Sequence, residues 1–345
     1  MNRFAVCENI ESSERIMQRR VSAKDVALLA GVSRAAVSRT FGGGQVSQKV
    51  RLRVQEAAKE LGYRPNAIAR SLIGGRTDLV AVITAGRDSI HNSLLIEQLI
   101  VAIARRGKRA MVVPAAGEEA IDGSILDVSD YQVDAIVVIG GTVSPNIIER
   151  LKAFGVPLFL YERLVEDKGL ECIMGNNVLG SKMAASYLIR NGCRKLAYIT
   201  KPLDTFSNQA RREGLVAALA DAGLELFAEA KGEQGYQGGF RAAMELFSAR
   251  EIPDSLICFN DEMAFGALQA AATMNIDVPG ELAIIGYDDI PMANWPVFNL
   301  TTIHNAIKQP VNIIVERIEK RLEHGDMAYE NHVIEPELIV RGTTR

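Results

Sequence analysis

The stretch Val21–Phe41, VSAKDVALLAGVSRAAVSRTF, constrains this chain more than any other. It has room for two short helices and a tight turn. Ser22 or Ala23 opens the first helix, whose apolar face is Val26, Ala27, Leu29 and Ala30. Gly31 ends it, because glycine enters a left-handed turn without a steric penalty. Val32 tucks under the corner, and Ser33 is placed to cap the second helix through its hydroxyl. That helix, Arg34–Phe41, turns Val37 inward and shows Arg34, Ala35, Ser38 and Arg39 on its other face. Ala27 and Ala30 are small enough to let the helices cross closely. A helical hairpin in an ordinary core shares some of these features. Turn chemistry, small residues and a basic outer face in one register make the helix-turn-helix pattern, whose second helix lies in the DNA major groove.

Charge agrees with that reading. The 345 residues carry a net charge of only -3, but residues 1–76 hold 14 Lys and Arg against 6 Asp and Glu, so the remainder is strongly acidic. A basic head on an acidic body is the footprint of a polyanion partner. At this length two or three domains are expected. Hydrophobic residues at 48% and charged residues at 23% describe an ordinary globular composition. No apolar run approaches the ~20 residues of a membrane span, and the first twenty residues lack a signal-peptide core. Cys7, Cys172, Cys193 and Cys258 are scattered without metal-ligand spacing, as in a cytoplasmic protein with reduced thiols. Met1–Gln18 reads as a loose arm, with Met17 as an alternative start.

After a glycine-rich turn, Gln48–Leu61 places Val50, Val54, Ala57, Ala58 and Leu61 at helical spacing, a stripe that closes a three-helix core. Ser47 is its expected cap. Lys49, Arg51 and Arg53 are expected in solvent or facing phosphates. The segment AIARSLIGG that follows Pro65 is too short to hold a helix alone in water. It is either a plain linker or one half of a pair that wedges Leu72 and Ile73 into a DNA step.

The run from Val21 to Leu72 resembles the DNA-binding head and hinge of the lactose-repressor (LacI/GalR) family of bacterial transcription regulators. The resemblance implies base-reading side chains at the first, second and sixth residues after the turn serine, which are Arg34, Ala35 and Arg39, and an intercalating hinge leucine at Leu72. Ser22, Ser33, Ser38 and Asn66 are the accompanying phosphate or hinge contacts. Arg34 and Arg39 can each take a guanine edge through two hydrogen bonds, whereas Ala35 can at most touch a thymine methyl.

From Leu79 onward apolar strands alternate with helical stripes. The strands read as 79–84, 108–113, 133–139, 157–161, 195–200, 255–259 and 282–287, and the helices as 94–106, 178–191, 211–222, 239–249, 263–274 and 310–322. Continuous apolar strands between helices mean parallel sheets covered on both faces. Two similar halves imply two lobes with a cleft. Ligands bind beyond the carboxyl ends of such strands, where Arg87, Glu162, Arg163, Asn260, Asp261 and Asp288 stand. Turn and cap formation is the alternative role for each of the polar ones.

The body resembles the periplasmic-binding-protein-like regulatory domain of the same family, through MAASYLIRNGCRKLAYI, QARREGLVAAL, CFNDEMAFGALQAA, IIGYDDIPMA, LTTIHN and IEPELIVRGTT. The implied fold is an all-α helix-turn-helix head on an α/β two-lobed domain. The expected division is an arm at 1–20, the head at 21–65, a hinge at 66–76 and the body at 77–345. Within the body, one lobe comprises 77–176 and 305–334, the other 177–304 and 335–345. The resemblance implies effector contacts at Arg87, Asn92, Glu162, Arg211, Gln234, Asn260, Asp261 and Asp288. Two positions where sugar-binding relatives carry aromatics hold Leu94–Leu95 and Gln234 here, leaving Phe206, Tyr161 or Trp295 to stack on a ring. Arg87, Arg163, Arg211 and Arg212 open the way to a sugar acid or sugar phosphate; a neutral sugar is the other option.

The expectation is a cytoplasmic repressor that binds a near-palindromic duplex operator as a homodimer under control of a small-molecule effector. A solute-binding component of a transport system is the alternative on the same fold. His91, His304, His324 and His332 lack ligand or triad spacing, so no enzyme activity, catalytic residue, metal or cofactor is expected.

Overall fold

A computed structural model describes residues 21–42, 44–63, 76–85, 89–163, 165, 170–202, 205–325 and 328–345. The chain forms two units, Met1–Thr77 and Asp78–Arg345. The arm at 1–20, Asn66, Leu72 and Arg87 lie outside the described residues.

In the first unit, α1 (Ala23–Ala30), α2 (Arg34–Phe41) and α3 (Gln48–Glu60) close one small core on Val26, Ala27, Ala30, Val37, Val54, Ala57 and Ala58. Gly31 ends α1 with φ of 60°, a value that glycine adopts without strain. The Ser33 hydroxyl accepts from the Ala36 N–H at 3.2 Å and opens α2. Ser47 does the same for α3 through Val50. One expectation fails. Leu29 is half exposed and Leu28 is almost fully so, because α1 packs on its neighbours through Ala23, Val26, Ala27 and Ala30.

The second unit holds two six-stranded sheets. The first runs β11 (Asn331–Ile334), β5 (Glu171–Gly175), β4 (Leu158–Tyr161), β3 (Ala135–Ile139), β1 (Leu79–Thr84) and β2 (Arg109–Pro114), all parallel. Helices α4 (Ile90–Arg105) and α11 (Lys308–His324) cover one face, and α5 (Ile121–Ser129) and α6 (Pro145–Ala153) the other. The second sheet runs β12 (Glu337–Ile339), β10 (Thr301–His304), β9 (Ala283–Asp288), β8 (Ser255–Cys258), β6 (Leu196–Thr200) and β7 (Ala228–Lys231), with β12 alone antiparallel. It lies between α7 (Asn177–Arg190) with α8 (Phe206–Asp221) and α9 (Tyr236–Phe247) with α10 (Asp261–Thr273). With both faces covered, strands such as β3 and β9 are buried throughout.

The chain crosses between the sheets after β5, after β10 and after β11. The last helix is tied down at the sheet edge. Glu171, fully buried on β5, accepts from Arg317 Nε at 2.7 Å and Nη2 at 2.9 Å, and from Arg321 Nε at 2.6 Å. Close helix crossing in the second lobe depends on Gly214, where a Cβ would sit 2.0 Å from the Val178 carbonyl oxygen.

Candidate functional site

The outer face of α2 carries Arg34, Ala35 and Arg39, all exposed, with Ser38 partly so. Arg39 Nε donates weakly to the Ala35 carbonyl at 3.4 Å, which lays its guanidinium along the helix. Ser33 spends its oxygen on the cap, and Ser22 donates its hydroxyl proton to Asp25 at 2.6 Å. Arg53 is exposed, as expected of a solvated side chain, but it also has a structural task. Its Nε donates to the Ala30 carbonyl at 3.0 Å, and its Nη2 to Ala30 and, at 2.7 Å, to Gly31. It closes the end of α1, where carbonyls lack partners and the helix dipole favours a cation.

In the body a cavity of about 740 Å³ opens between the carboxyl ends of the two sheets. Asn92, Glu162, Arg211, Gln234, Asn260 and Asp288 line it together. Asp261 does not. It is fully buried, accepts the Ile290 N–H at 2.8 Å and the Thr302 hydroxyl at 2.5 Å, and so fastens α10 to the segment after β9 and to β10. Burial, with the charge of Asp288 added, raises its carboxyl well above the ordinary aspartate range.

Two of the lining acids stand on unusual backbone. Glu162, just past β4, has φ of 57°, and Asp288, at the end of β9, has φ of 108°. Residues held there cost free energy that surrounding contacts must offset. Glu162 accepts from the Gly175 N–H at 3.0 Å and from Asn177 Nδ2 at 2.9 Å. Asp288 accepts from Arg211 Nη2 and Asn305 Nδ2, each at 3.3 Å.

Arg211 is the hub. Its Nε donates to Asn177 Oδ1 at 2.8 Å and its Nη1 to the Phe259 carbonyl at 2.6 Å, while the guanidinium lies 3.6 Å from the Tyr287 ring centroid. Burial works to lower its pKa, but Asp288, Tyr287 and Glu162 outweigh burial and the value rises. Two of the four arginines read from the sequence are thus spent on protein partners. Arg211 is compensated within the wall, and Arg212 points outward to Glu229 at 3.0 Å. Arg163 and Lys201 do line the cavity. Of the aromatic candidates Phe206 lines it, Tyr161 stands buried behind His91, and Trp295 is half exposed against Phe298.

Sequence reasoning missed His91, Asn305 and Phe259, which also line the cavity. His91 has no ligand or triad spacing in the sequence to mark it. Asn305 follows a short strand that periodicity did not mark. Ser89 and Thr205 cap α4 and α8, which therefore begin at Ile90 and Phe206, earlier than expected, and bring both caps to the cavity wall. Among the described residues no helix is long and apolar enough to cross a membrane.

Residues 22–66 match the model of bacterial regulatory proteins of the lacI family, and residues 185–344 match that of a periplasmic binding protein-like domain. The ribose operon repressor of Escherichia coli strain K12 is 30% identical over 327 residues, covering 93% of this chain and 98% of the repressor. A Lac repressor dimer bound to operator and the anti-inducer ONPF superposes with a TM-score of 0.85 at 24% identity, covering 94% of this chain and 99% of that one. The CelR–cellobiose complex superposes with a TM-score of 0.69 at 26% identity, over 94% of this chain and 100% of that one. A basic helix-turn-helix joined in one chain to a two-lobed ligand-binding fold, with similarity running through both, places this protein: it is a DNA-binding transcriptional regulator and belongs to the lacI family of bacterial regulatory proteins.

Proposed function

We propose that the protein is a cytoplasmic, homodimeric repressor whose grip on a near-palindromic operator is set by a sugar or close sugar derivative in the inter-lobe cavity. The domain limits are read as 21–65 for the head, 66–76 for the hinge and 77–345 for the effector body. Arg34 and Arg39 read base edges, Ala35 makes at most an apolar contact, and Ser22, Ser33, Ser38 and Asn66 position the backbone. Leu72 is the wedge at the operator centre. Asn92, Glu162, Arg211, Gln234, Asn260 and Asp288 are the effector contacts, and Arg87 joins them from the loop after β1. Asp261 acts behind the wall, as a brace.

The observation that carries this reading is the balanced wall: Arg211, Asp288, Glu162, Asn177 and Asn305 are joined by hydrogen bonds, the lining acids Glu119, Glu162 and Asp288 are matched by Arg163, Lys201 and Arg211, and Asn92, Gln234, Ser207 and Thr205 line the cavity beside them. Such a surface suits a neutral polyol better than an isolated charge. Of the similar proteins, one is a ribose operon repressor and another was solved with cellobiose, which favours a neutral sugar over an acid or phosphate. Occupancy shifts a population between two lobe arrangements and so biases DNA binding.

The test is binding of the full chain to DNA from upstream of its own gene, titrated against salt and with D-ribose or cellobiose added. A steep fall with salt, a loss of selectivity in Arg39→Ala and a sugar-dependent shift are expected. Equal, unselective binding by parent and variant would refute the reading.

A further inference from the structure

Residues 105–109, RRGKR, put four cations into five positions of an acidic body. They join the end of α4 to the start of β2, the edge strand of the first sheet. The carboxyl end of β2 leads to Ala115 on the cavity wall, so the basic run lies at the opposite end of the strand, about 20 Å away. That same end of the sheet receives the chain from the head. Asp78, the first residue of the second unit, stands just before β1 and is bonded to the run. Its carbonyl accepts from the Arg109 N–H at 2.7 Å, and its carboxylate lies 3.5 Å from Lys108 Nζ. Asp134 accepts the Asp78 N–H at 2.9 Å and holds the junction from the other side. The place where the chain enters the body is thus fastened to a basic corner. A stretch as long as that from Tyr63 to Arg76 spans at most about 45 Å even when fully extended.

The four cations are not equally occupied. Arg106 pairs with Glu319 on α11, and Lys108, its side chain only 14% exposed, pairs with Asp78. Arg105 and Arg109 are exposed, and among the described residues their side chains have no hydrogen-bond or ion-pair partner. Local reasons exist for each alone. The helix dipole favours a cation in the last turn of α4, and a basic side chain on an edge strand deters pairing with another chain. Neither reason gathers four cations at the end of the body that adjoins a DNA-binding head, when the rest of the body repels a polyanion. A guanidinium is also the side chain best matched to phosphate. We propose that this corner is a second DNA contact, in which Arg105 and Arg109 bind backbone phosphates of the duplex flanking the bases read by α2. Such a contact reads no sequence; it adds affinity and salt dependence. An acidic protein surface is the other polyanion that would fit, and the test separates the two.

The experiment uses the full chain as parent, as the double variant Arg105→Ala with Arg109→Ala, and as a control, Arg190→Ala with Arg250→Ala. The control removes the same charge from exposed residues that precede β6 and β8, at the end of the second sheet away from the cavity. Affinity is measured against salt for a long fragment from upstream of the protein's own gene and for a fragment of unrelated sequence, with hydroxyl-radical footprints on the first. The corner variant is expected to lose about ten-fold or more in affinity at about 0.1 M salt, and its log–log salt slope to shrink by about 2–4. Both fragments weaken by the same factor, selectivity is kept, and the footprint shortens at its outer ends. The control stays with the parent. Unchanged melting of the body separates this from misfolding; if the double variant melts early, the single variants Arg105→Ala and Arg109→Ala decide, each with about half the change in slope. An unchanged slope and footprint overturn the proposal and leave the corner to an acidic protein, while the reading of operator bases by α2 stands. An equal loss in the control overturns it as a general effect of net charge. A parent that binds neither fragment overturns the reading of the head, and this proposal with it.

Discussion

The backbone N–H of Ile90, the first residue of α4 in one lobe, donates to Oε2 of Glu262, in the first turn of α10 in the other, at 3.1 Å. One carboxylate thus serves the amino ends of two helices, each of which favours negative charge. Asn260 Nδ2 approaches the same oxygen at 3.4 Å, which ties the contact to the cavity wall. Removing the carboxylate in Glu262→Ala takes away about 1 kcal/mol from the joined arrangement, allowing for solvent at this part-buried position. Sugar affinity is expected to fall about five-fold and the radius of gyration of the full chain to rise. Calorimetry and small-angle scattering check both, and unchanged values would show that the contact is incidental.

Arg53 and Arg39 are both basic residues of the head, but their contacts separate them. Both are exposed, but Arg53 is bonded to the end of α1, whereas Arg39 reaches only the Ala35 carbonyl of its own helix. Arg53→Ala is expected to destabilise the head by about 1–2 kcal/mol, in the range for hydrogen bonds to a charged group partly open to water. It weakens all DNA sequences alike. Arg39→Ala leaves the melting of the head unchanged and relaxes base preference, by roughly 1–3 kcal/mol at one position. Thermal melts, together with selection of bound sequences from a random pool, distinguish the two outcomes.

Arg211 and Asp288 are each buried to within a few per cent. Arg211→Ala leaves an unpaired carboxylate inside the wall, which typically costs about 3–5 kcal/mol. The double variant Arg211→Met with Asp288→Asn is expected to recover much of that loss in stability without recovering sugar binding. Urea unfolding of the body and calorimetry report the two quantities separately.

His91 also makes stability depend on pH. Its folded-state pKa is lowered, so between the folded and unfolded values the unfolded chain binds more protons. Stability contributed by the neutral ring is then full above the unfolded value and is lost as pH falls below it. From about pH 7 to pH 5 the parent is expected to lose more stability than His91→Gln, with a limiting slope of about 1.4 kcal/mol per pH unit for one group. Urea midpoints at several pH values measure this, and parallel curves would show that His91 contributes none of the dependence.

How far the sequence could be read differed by level. Gly31, Ser33 and Val37 mark the helix-turn-helix because caps, turns and stripes are local, set by residues within one turn of each other. The apolar runs of β1, β3, β8 and β9 mark a parallel sheet for the same reason. The short strands β5, β7, β10, β11 and β12 left no comparable pattern. Three to five residues are too few for periodicity, and their pairing is settled by partners elsewhere along the chain. Asn92, Glu162, Arg211, Gln234, Asn260 and Asp288 were named from the sequence and meet at one cavity; Asp261, next to Asn260, turns away because the first turn of a helix sends adjacent side chains in different directions.

By itself the sequence determined the order of helices and strands, the basic head and the strand ends where polar residues collect, since these depend on neighbours along the chain. Tertiary structure alone decided which of those polar groups are spent on each other. Arg53 was drawn to the end of α1, Asp261 to β10 and Arg211 to Asp288, while His91 Nδ1 was left with no hydrogen-bond partner among the described residues. Hydrogen-bond partners in a packed wall come from different segments of the chain, in the case of Asn305 and His91 more than two hundred residues apart, and only folding brings them within reach.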